Sequence, residues 1–201
     1  MRVLPVLVLP ALLAVAACGA TQSPMASAPT VAIQPAATAR PVVQVASQVV
    51  NERRSGREDP TWIGTIRGGY GNPLKALHAD EPVDRVVGKA FAAGLAARGL
   101  AAGPGGSAPY VLAVTIHQFD ANQYVRREAT ADFTVVVAQR ATGREVWRGR
   151  EKVYIVDGSI LSLSTGVFAS VEDLRKVALK AMNEAVDKLL DQPAMRDAIR
   201  T

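Results

Sequence analysis

The stretch that decides the fold begins at Tyr110 and reads YVLAVTIHQF as far as Phe119. Apolar side chains alternate with polar or small ones, which places one set of them on a single face of a strand. That set consists of Tyr110, Leu112, Val114 and Ile116. The same alternation occurs over Arg127–Gln139 and Arg144–Val156, and the tight turn Arg140–Gly143 joins these two strands into a hairpin. We therefore predict an antiparallel sheet with one face covered and the other partly exposed to water.

Two segments outside these strands have apolar residues at helical spacing. The first begins near Asp80, a residue suited to capping, and ends at Gly99, which is suited to a left-handed cap. The second begins at Ser170 in a sequence that resembles a capping box and runs to about Leu190. The β-branched segment Val42–Val50 predicts a further strand. The expected fold class is α+β, a mainly antiparallel sheet of about four to five strands with two amphipathic helices packed on one face.

The N-terminus is typical of an exported protein that carries lipid. Arg2 precedes the apolar stretch Val3–Val15, which is shorter than the roughly 20 residues that a spanning helix needs. The sequence VAAC at residues 15–18 then places an aliphatic residue and two small ones before Cys18, the only cysteine of the chain. This sequence resembles the lipobox of bacterial lipoproteins. The resemblance implies cleavage before Cys18, diacylglycerol on its sulfur and, usually, acylation of the new amine. An ordinary secretory signal with an unrelated cysteine is the alternative.

These features divide the chain into three parts. Residues 1–17 are predicted to be a lipoprotein signal peptide, and residues 18–40 the lipidated N-terminus with a flexible tether rich in alanine and proline. Residues 41–201 form a single α+β periplasmic domain. A tether of about 20 such residues spans roughly 25 Å as a coil, so the domain is expected to stand off its membrane. Gly19 stands where enterobacterial sorting would require aspartate, which favours the outer membrane over the inner one.

The rest of the sequence contains no recognisable catalytic pattern. His78 and His117 lie far apart, without the spacing of metal ligands. Cys18 is committed to lipid, and no serine occupies a Gly-x-Ser-x-Gly elbow. The formal net charge is +5, and the basic residues form short pairs interrupted by glutamates, unlike the clustered patches of nucleic-acid-binding proteins. We therefore expect no enzymatic activity, no metal, no cofactor and no nucleic-acid partner.

Two further segments are candidates for contact with another molecule. The glycine-rich stretch between Ile63 and Pro73 demands a loop or a twisted hairpin, and its free amides would suit an anion. The candidate residues there are Arg67, Gly68, Gly69 and Gly71. A tight turn that requires positive φ is the alternative. The apolar segment Ile160–Phe168 would form a contact patch if exposed, and otherwise it folds back over the sheet.

The order of these elements resembles the YajG-like lipoproteins over about Val42–Ile199. The pieces that carry the resemblance are Ile63-Gly64, Ala97-Arg98-Gly99, Gly103-Pro104, Leu112-x-Val114-x-Ile116, Gln118-Phe119-x-Ala121, Ala129-x-Ala131 and the final helix near Asp187 and Asp191. The resemblance implies a membrane-anchored periplasmic domain with no established enzymatic activity.

The expected function is therefore that of an envelope lipoprotein that acts as an interaction or assembly module. Its predicted partners are membrane lipid, through acylated Cys18, and another envelope protein, through the sheet edge or the apolar segment. The alternative is an auxiliary lipoprotein of an ABC-type envelope lipid or solute transport system. That alternative predicts a groove between the helices and the sheet.

Overall fold

The structure is a computed structural model that describes residues 20–29, 42–103, 108–158 and 169–199. One sheet is formed in the strand order β1-β5-β4-β6-β7-β8, and β2 and β3 pair with β6 beside this path. The elements in chain order are β1 (Ala20–Ser23), β2 (Val43–Val45), β3 (Val50–Asn51), β4 (Trp62–Arg67), β5 (Pro73–Ala79), α1 (Val83–Ala97), β6 (Tyr110–Gln123), β7 (Arg127–Gln139), β8 (Glu145–Asp157), α2 (Val171–Leu190) and α3 (Pro193–Ala198).

The predicted fold class is wrong about the sheet and the number of helices. Over the described residues, the sheet has eight strands of mixed direction, and the helices number three. β1 runs parallel to β5, while β2, β3 and β4 run parallel to β6. β1, β2 and β3 contain only two to four residues each, too few for alternation to be recognised. Alternation also carries no information about the direction of the neighbouring strand, so the parallel pairings were not predictable from it.

Residues 20–29 differ from the flexible tether predicted over 18–40. β1 pairs with β5, so its backbone groups are satisfied without a run of apolar side chains. Farther along, Met25 is 5% exposed within the core, and the Ser27 hydroxyl donates to Asn183 Oδ1 over 2.9 Å. A composition argument misses such a segment because it counts side chains and ignores backbone pairing. The remainder of the predicted tether, residues 30–41, lies outside the described residues.

Helices α1 and α2 cover one face of the sheet. Phe133 of β7 lies at the centre of this layer, with its ring centroid 5.9 Å from that of Phe91 and 6.2 Å from that of Phe119. The two helices approach closely at Gly94, where an added Cβ would lie 2.8 Å from Leu190 Cδ1. The side chains of β7 that face the helices are Ala129, Ala131, Phe133, Val135 and Val137, all buried. We call the opposite side of the sheet, which carries no helix among the described residues, the open face.

The predicted helix ends are mostly correct. Gly99 has a φ of 68° after α1, as a left-handed cap requires. The Ser170 hydroxyl accepts a hydrogen bond from the Asp173 backbone amide at the start of α2. Asp80 does not cap α1, because the helix begins only at Val83 and has no side-chain cap. None of the helices in the described ranges is both long enough and apolar enough to cross a bilayer.

Candidate functional site

A cleft of about 560 Å³ lies on the open face, and we call it the polar cleft. Its floor comes from β6, β7 and β8, and one wall comes from the segment that follows β3. Both signs of charge line it, so it is suited to a polar ligand surface rather than an apolar one. The lining residues are Glu52, Arg53, Arg54, Ser55, His117, Gln118, Asp120, Asp132 and Arg150.

A β-bulge in β6 concentrates polar side chains in this cleft. Ile116 pairs with Phe133 and Gln118 with Asp132, so His117 is the extra residue. Before the bulge the even-numbered residues of β6 face the helices, and after it the odd-numbered residues do. His117 and Gln118 therefore both lie on the open face. The sequence contained this signal, because buried apolar residues of one strand do not normally stand three apart, as Ile116 and Phe119 do.

Arg53 attaches the wall of the cleft to the sheet. β3 and β4 pair with different parts of β6, which leaves a gap between them along that strand. The Arg53 guanidinium fills this gap: Nη1 donates to the Trp62 carbonyl over 2.9 Å and to the Phe119 carbonyl over 3.0 Å. The guanidinium thus gives these two backbone carbonyls the hydrogen bonds that a neighbouring strand would otherwise supply. Burial lowers the pKa of Arg53, with nearby Asp120 opposing that shift.

Two pairs hold four further side chains of the polar cleft or its floor in place. Arg150 donates through Nε and Nη2 to the two carboxylate oxygens of Asp132, each over 2.8 Å. These hydrogen bonds hold the pKa of Asp132 below its ordinary value, against the opposing effect of burial. His117 contacts Thr134 Oγ1 through Nε2 at 2.8 Å and Glu52 Oε2 through Nδ1 at 3.1 Å. Such an arrangement holds donors and acceptors in fixed positions, as recognition of a polar partner requires.

The glycine-rich stretch forms the turn of a hairpin between β4 and β5. The amide of Gly68 donates to the Asn72 carbonyl, and the amide of Gly71 donates to the Gly68 carbonyl. Gly71 has a φ of 81°, and Arg67 Nη1 donates to the Gly71 carbonyl over 3.1 Å. Two amides that an anion would need are thus used within the turn. The geometry agrees with the tight-turn alternative.

The other residues that the sequence analysis considered as functional candidates lie apart from one another or lie outside the described residues. His78 lies in β5, where its Nδ1 is 3.1 Å from Asp59 Oδ2. His117 lies on the open face, and its side chain is 27% exposed. Within the described ranges, no three His, Cys, Asp or Glu residues are placed to hold a metal ion. Cys18 and the segment Ile160–Phe168 lie outside the described residues.

Comparison with solved structures finds a shared fold. A Xanthomonas campestris protein of family DUF330 aligns with a TM-score of 0.55 and 16% identity, over 84% of this chain and 94% of that one. A candidate lipoprotein from Caulobacter crescentus aligns with a TM-score of 0.42 and 20% identity, over 57% and 82%. Lipoprotein GNA1162 from Neisseria meningitidis aligns with a TM-score of 0.30 and 12% identity, over 77% and 99%.

At such low identity, the first of these likenesses shows the fold alone, and the other two are too distant to support an argument. Lipoproteins are among the structural neighbours, but none of these three proteins is named as a YajG-like protein. No protein-family model matches the sequence. No curated protein matches it either.

Proposed function

We propose that this chain is a lipoprotein of the bacterial envelope whose domain binds a partner and catalyses no reaction. The observation that carries the anchoring is the VAAC sequence at residues 15–18, at the end of an apolar stretch too short to span a bilayer. Attachment through Cys18 follows, since diacylglycerol and one further acyl chain give stable membrane binding. Gly19 after the cysteine favours the outer membrane.

Binding, rather than catalysis, is supported by the state of the polar cleft. Both oxygens of its carboxylate at Asp132 accept hydrogen bonds from Arg150. A carboxylate that acts as a general base would instead have a free oxygen and a pKa raised towards neutrality. The pKa of Asp132 is shifted in the opposite direction, downward, by Arg150. Fixed pairs of donors and acceptors on an open sheet face are what a protein-binding surface presents.

Metabolic labelling with palmitate tests the anchor. The wild-type protein should incorporate the label and sediment with membranes, and Cys18→Ser should do neither. Gly19→Ser is the matched control, because it alters the neighbouring residue and leaves the sulfur in place. Equal sedimentation of Cys18→Ser and the wild type, with no label in either, would contradict the lipoprotein assignment.

Photo-crosslinking in intact cells tests the binding site. A photoreactive residue at Arg54, which is exposed and lines the polar cleft, should give a discrete protein adduct. The matched control is the same residue at Arg57, which is exposed in the same segment but does not line the cleft. Equal adducts at both positions, or none at position 54, would contradict a partner in the cleft.

The identity of the adduct also tests the alternative of an auxiliary lipoprotein in an ABC-type transport system. That alternative places a groove between the helices and the sheet, whereas the polar cleft lies on the opposite face. We therefore expect the adduct at position 54 to contain another envelope protein. Recovery of transporter subunits instead would favour the alternative.

A further inference from the structure

Three chain features meet at one end of the sheet. β4 and β6 run parallel, so the turn after Arg67 and the turn after Gln123 lie at the same end. The Tyr124 hydroxyl joins these turns by donating to the Gly69 carbonyl over 2.8 Å. β8 also finishes there, because Asp157 pairs with Arg127 at the start of β7.

This end exposes apolar and aromatic side chains. Tyr70, at the tip of the turn between β4 and β5, is fully exposed, and Tyr124 is 50% exposed. Val125 and Val156 are 44% and 39% exposed. We call these four residues the aromatic end. Of the six large hydrophobic side chains that are exposed among the described residues, only Val50 and Tyr154 lie outside this set, so the collection of the other four at one end favours contact with a partner.

β1, the first described strand, begins on the side of the sheet nearer this same end. Ala20 pairs with Ala76, which stands three residues after the start of β5, or about 10 Å along the strand. Because β1 is parallel to β5, Ala20 is its residue nearest the aromatic end, and the strand runs away from that end. In the sequence, only Gly19 separates Cys18 from β1.

We propose that the aromatic end rests on the lipid bilayer into which the acyl chains of Cys18 insert. This inference depends on the lipidation proposed above and adds an orientation to it. The chain has only one residue between the lipidated cysteine and β1, so a stand-off of roughly 25 Å is replaced by direct contact. The polar cleft then faces sideways along the membrane, where it is open to a second envelope protein.

The chemistry of the aromatic end fits a headgroup region. Tyrosine is enriched at membrane interfaces because its ring is apolar and its hydroxyl is polar. The carboxylates at this end do not oppose an anionic surface strongly, since Glu128 pairs with Arg126 and Asp157 with Arg127. Arg67 hydrogen-bonds only a carbonyl, at Gly71, among the contacts described above, so its charge is available to lipid phosphates.

Tryptophan quenching tests this orientation on the lipidated full-length protein. Vesicles of phosphatidylethanolamine and phosphatidylglycerol would contain a phosphatidylcholine brominated on its acyl chains. Tyr70→Trp changes a fully exposed side chain, so folding should be unaffected. Its added tryptophan should lose most of its emission in these vesicles. The matched control is Ala141→Trp, an exposed position in the turn at the other end of the sheet, which should keep its emission.

Each outcome decides between the two proposals. Failure of the protein to float with vesicles would contradict the lipid anchor itself. Flotation with equal quenching at positions 70 and 141, or with none at 70, would overturn the orientation while the anchor stands. A protein crosslink from position 70 without quenching would assign the aromatic end to a protein partner instead. The native tryptophans are an internal reference, because Trp62 and Trp147 lie toward the other end of the sheet.

Discussion

The ion pairs on the two sides of the sheet are built in opposite ways. In the helical layer, the arginine is the buried member: the Arg98 side chain is 3% exposed, and its partner Asp191 is 43% exposed. On the open face, the carboxylate is the buried member: Asp132 is 6% exposed, and Arg150 is 59% exposed. Loss of the exposed member leaves a buried charge unpaired, whereas loss of the buried member leaves a charge that water can still solvate.

The two ion pairs also differ in the elements that they join. Arg98 joins α1 to the end of α2, since it donates to Asp187 and Asp191 and also to the Gly94 carbonyl of its own helix. Asp132 and Arg150 join neighbouring strands that backbone hydrogen bonds already hold together. The first pair therefore contributes to the packing of the helices, and the second to the shape of the polar cleft.

Arg98→Met should give the largest loss of stability. The free energy of unfolding should fall by about 2 to 3 kcal/mol, because Asp187, whose side chain is only 13% exposed, loses its hydrogen bond from Arg98, whereas water can still solvate Asp191. Urea unfolding of the unlipidated Cys18→Ser protein, followed by circular dichroism, measures this. Arg148→Met is the matched control, since its pair with Glu145 lies at the surface, and the free energy of unfolding should change much less than for Arg98→Met. Equal losses for both variants would show that Arg98 does not join the helices energetically.

The same substitution, valine to alanine, at two adjacent positions of β7 compares the two faces of the sheet. Val135 is fully buried against the helices, whereas Val136 is half-buried on the open face. Val135→Ala removes two buried methyl groups and leaves a cavity, so it should cost about 2 kcal/mol. Val136→Ala should cost less than about 1 kcal/mol. The same urea titration measures both, and similar values would mean that the open face is also covered.

The sequence predicted the parts of the fold whose signal is local. The strands β7 and β8 show alternation along their 13 residues, and β6 shows it as far as the bulge at His117. Gly99 and Ser170 mark helix ends by their own backbone and hydroxyl chemistry. The strand predicted over Val42–Val50 is divided into β2 and β3, and their parallel pairing with β6 was missed because it depends on a partner distant in the chain. The ordered structure of residues 20–29 was missed because β1 pairs with β5 through backbone hydrogen bonds, which leave no pattern in the side chains.

The polar cleft was not predictable for a related reason. Its residues come from positions as far apart as Glu52 and Arg150, and the pairing of Asp132 with Gln118 across the bulge determines where they meet. Only the bulge itself had a local signal, in the spacing of Ile116 and Phe119. The candidate anion-binding residues in the glycine-rich stretch were predicted because their backbone amides were expected to be free. Two of those amides, at Gly68 and Gly71, instead donate hydrogen bonds within the turn.

The pH dependence of stability gives the smallest effect and tests the open-face pair alone. Hydrogen bonds from Arg150 lower the pKa of Asp132 in the folded protein relative to the unfolded chain. A lowered pKa means that the carboxylate stabilises the fold above its unfolded pKa of about 3.9, and that this contribution is lost as the pH falls through the folded pKa. Asp132→Asn should therefore cost about 1 kcal/mol near neutral pH, a modest value because Arg150 is largely exposed.

The difference in unfolding free energy between the wild type and Asp132→Asn should then narrow as the pH is lowered below about 4, because the wild type loses its charged pair. Glu58→Gln is the control: it removes an exposed carboxylate that forms no ion pair with another described residue, so it should cost little stability. A difference for Asp132→Asn that stays constant from neutral to acid pH would mean that the Asp132 carboxylate gains no net stabilisation from Arg150. In that case its burial, rather than its charge, would be what shapes the polar cleft, and the contrast between the two ion pairs would rest on Arg98 alone.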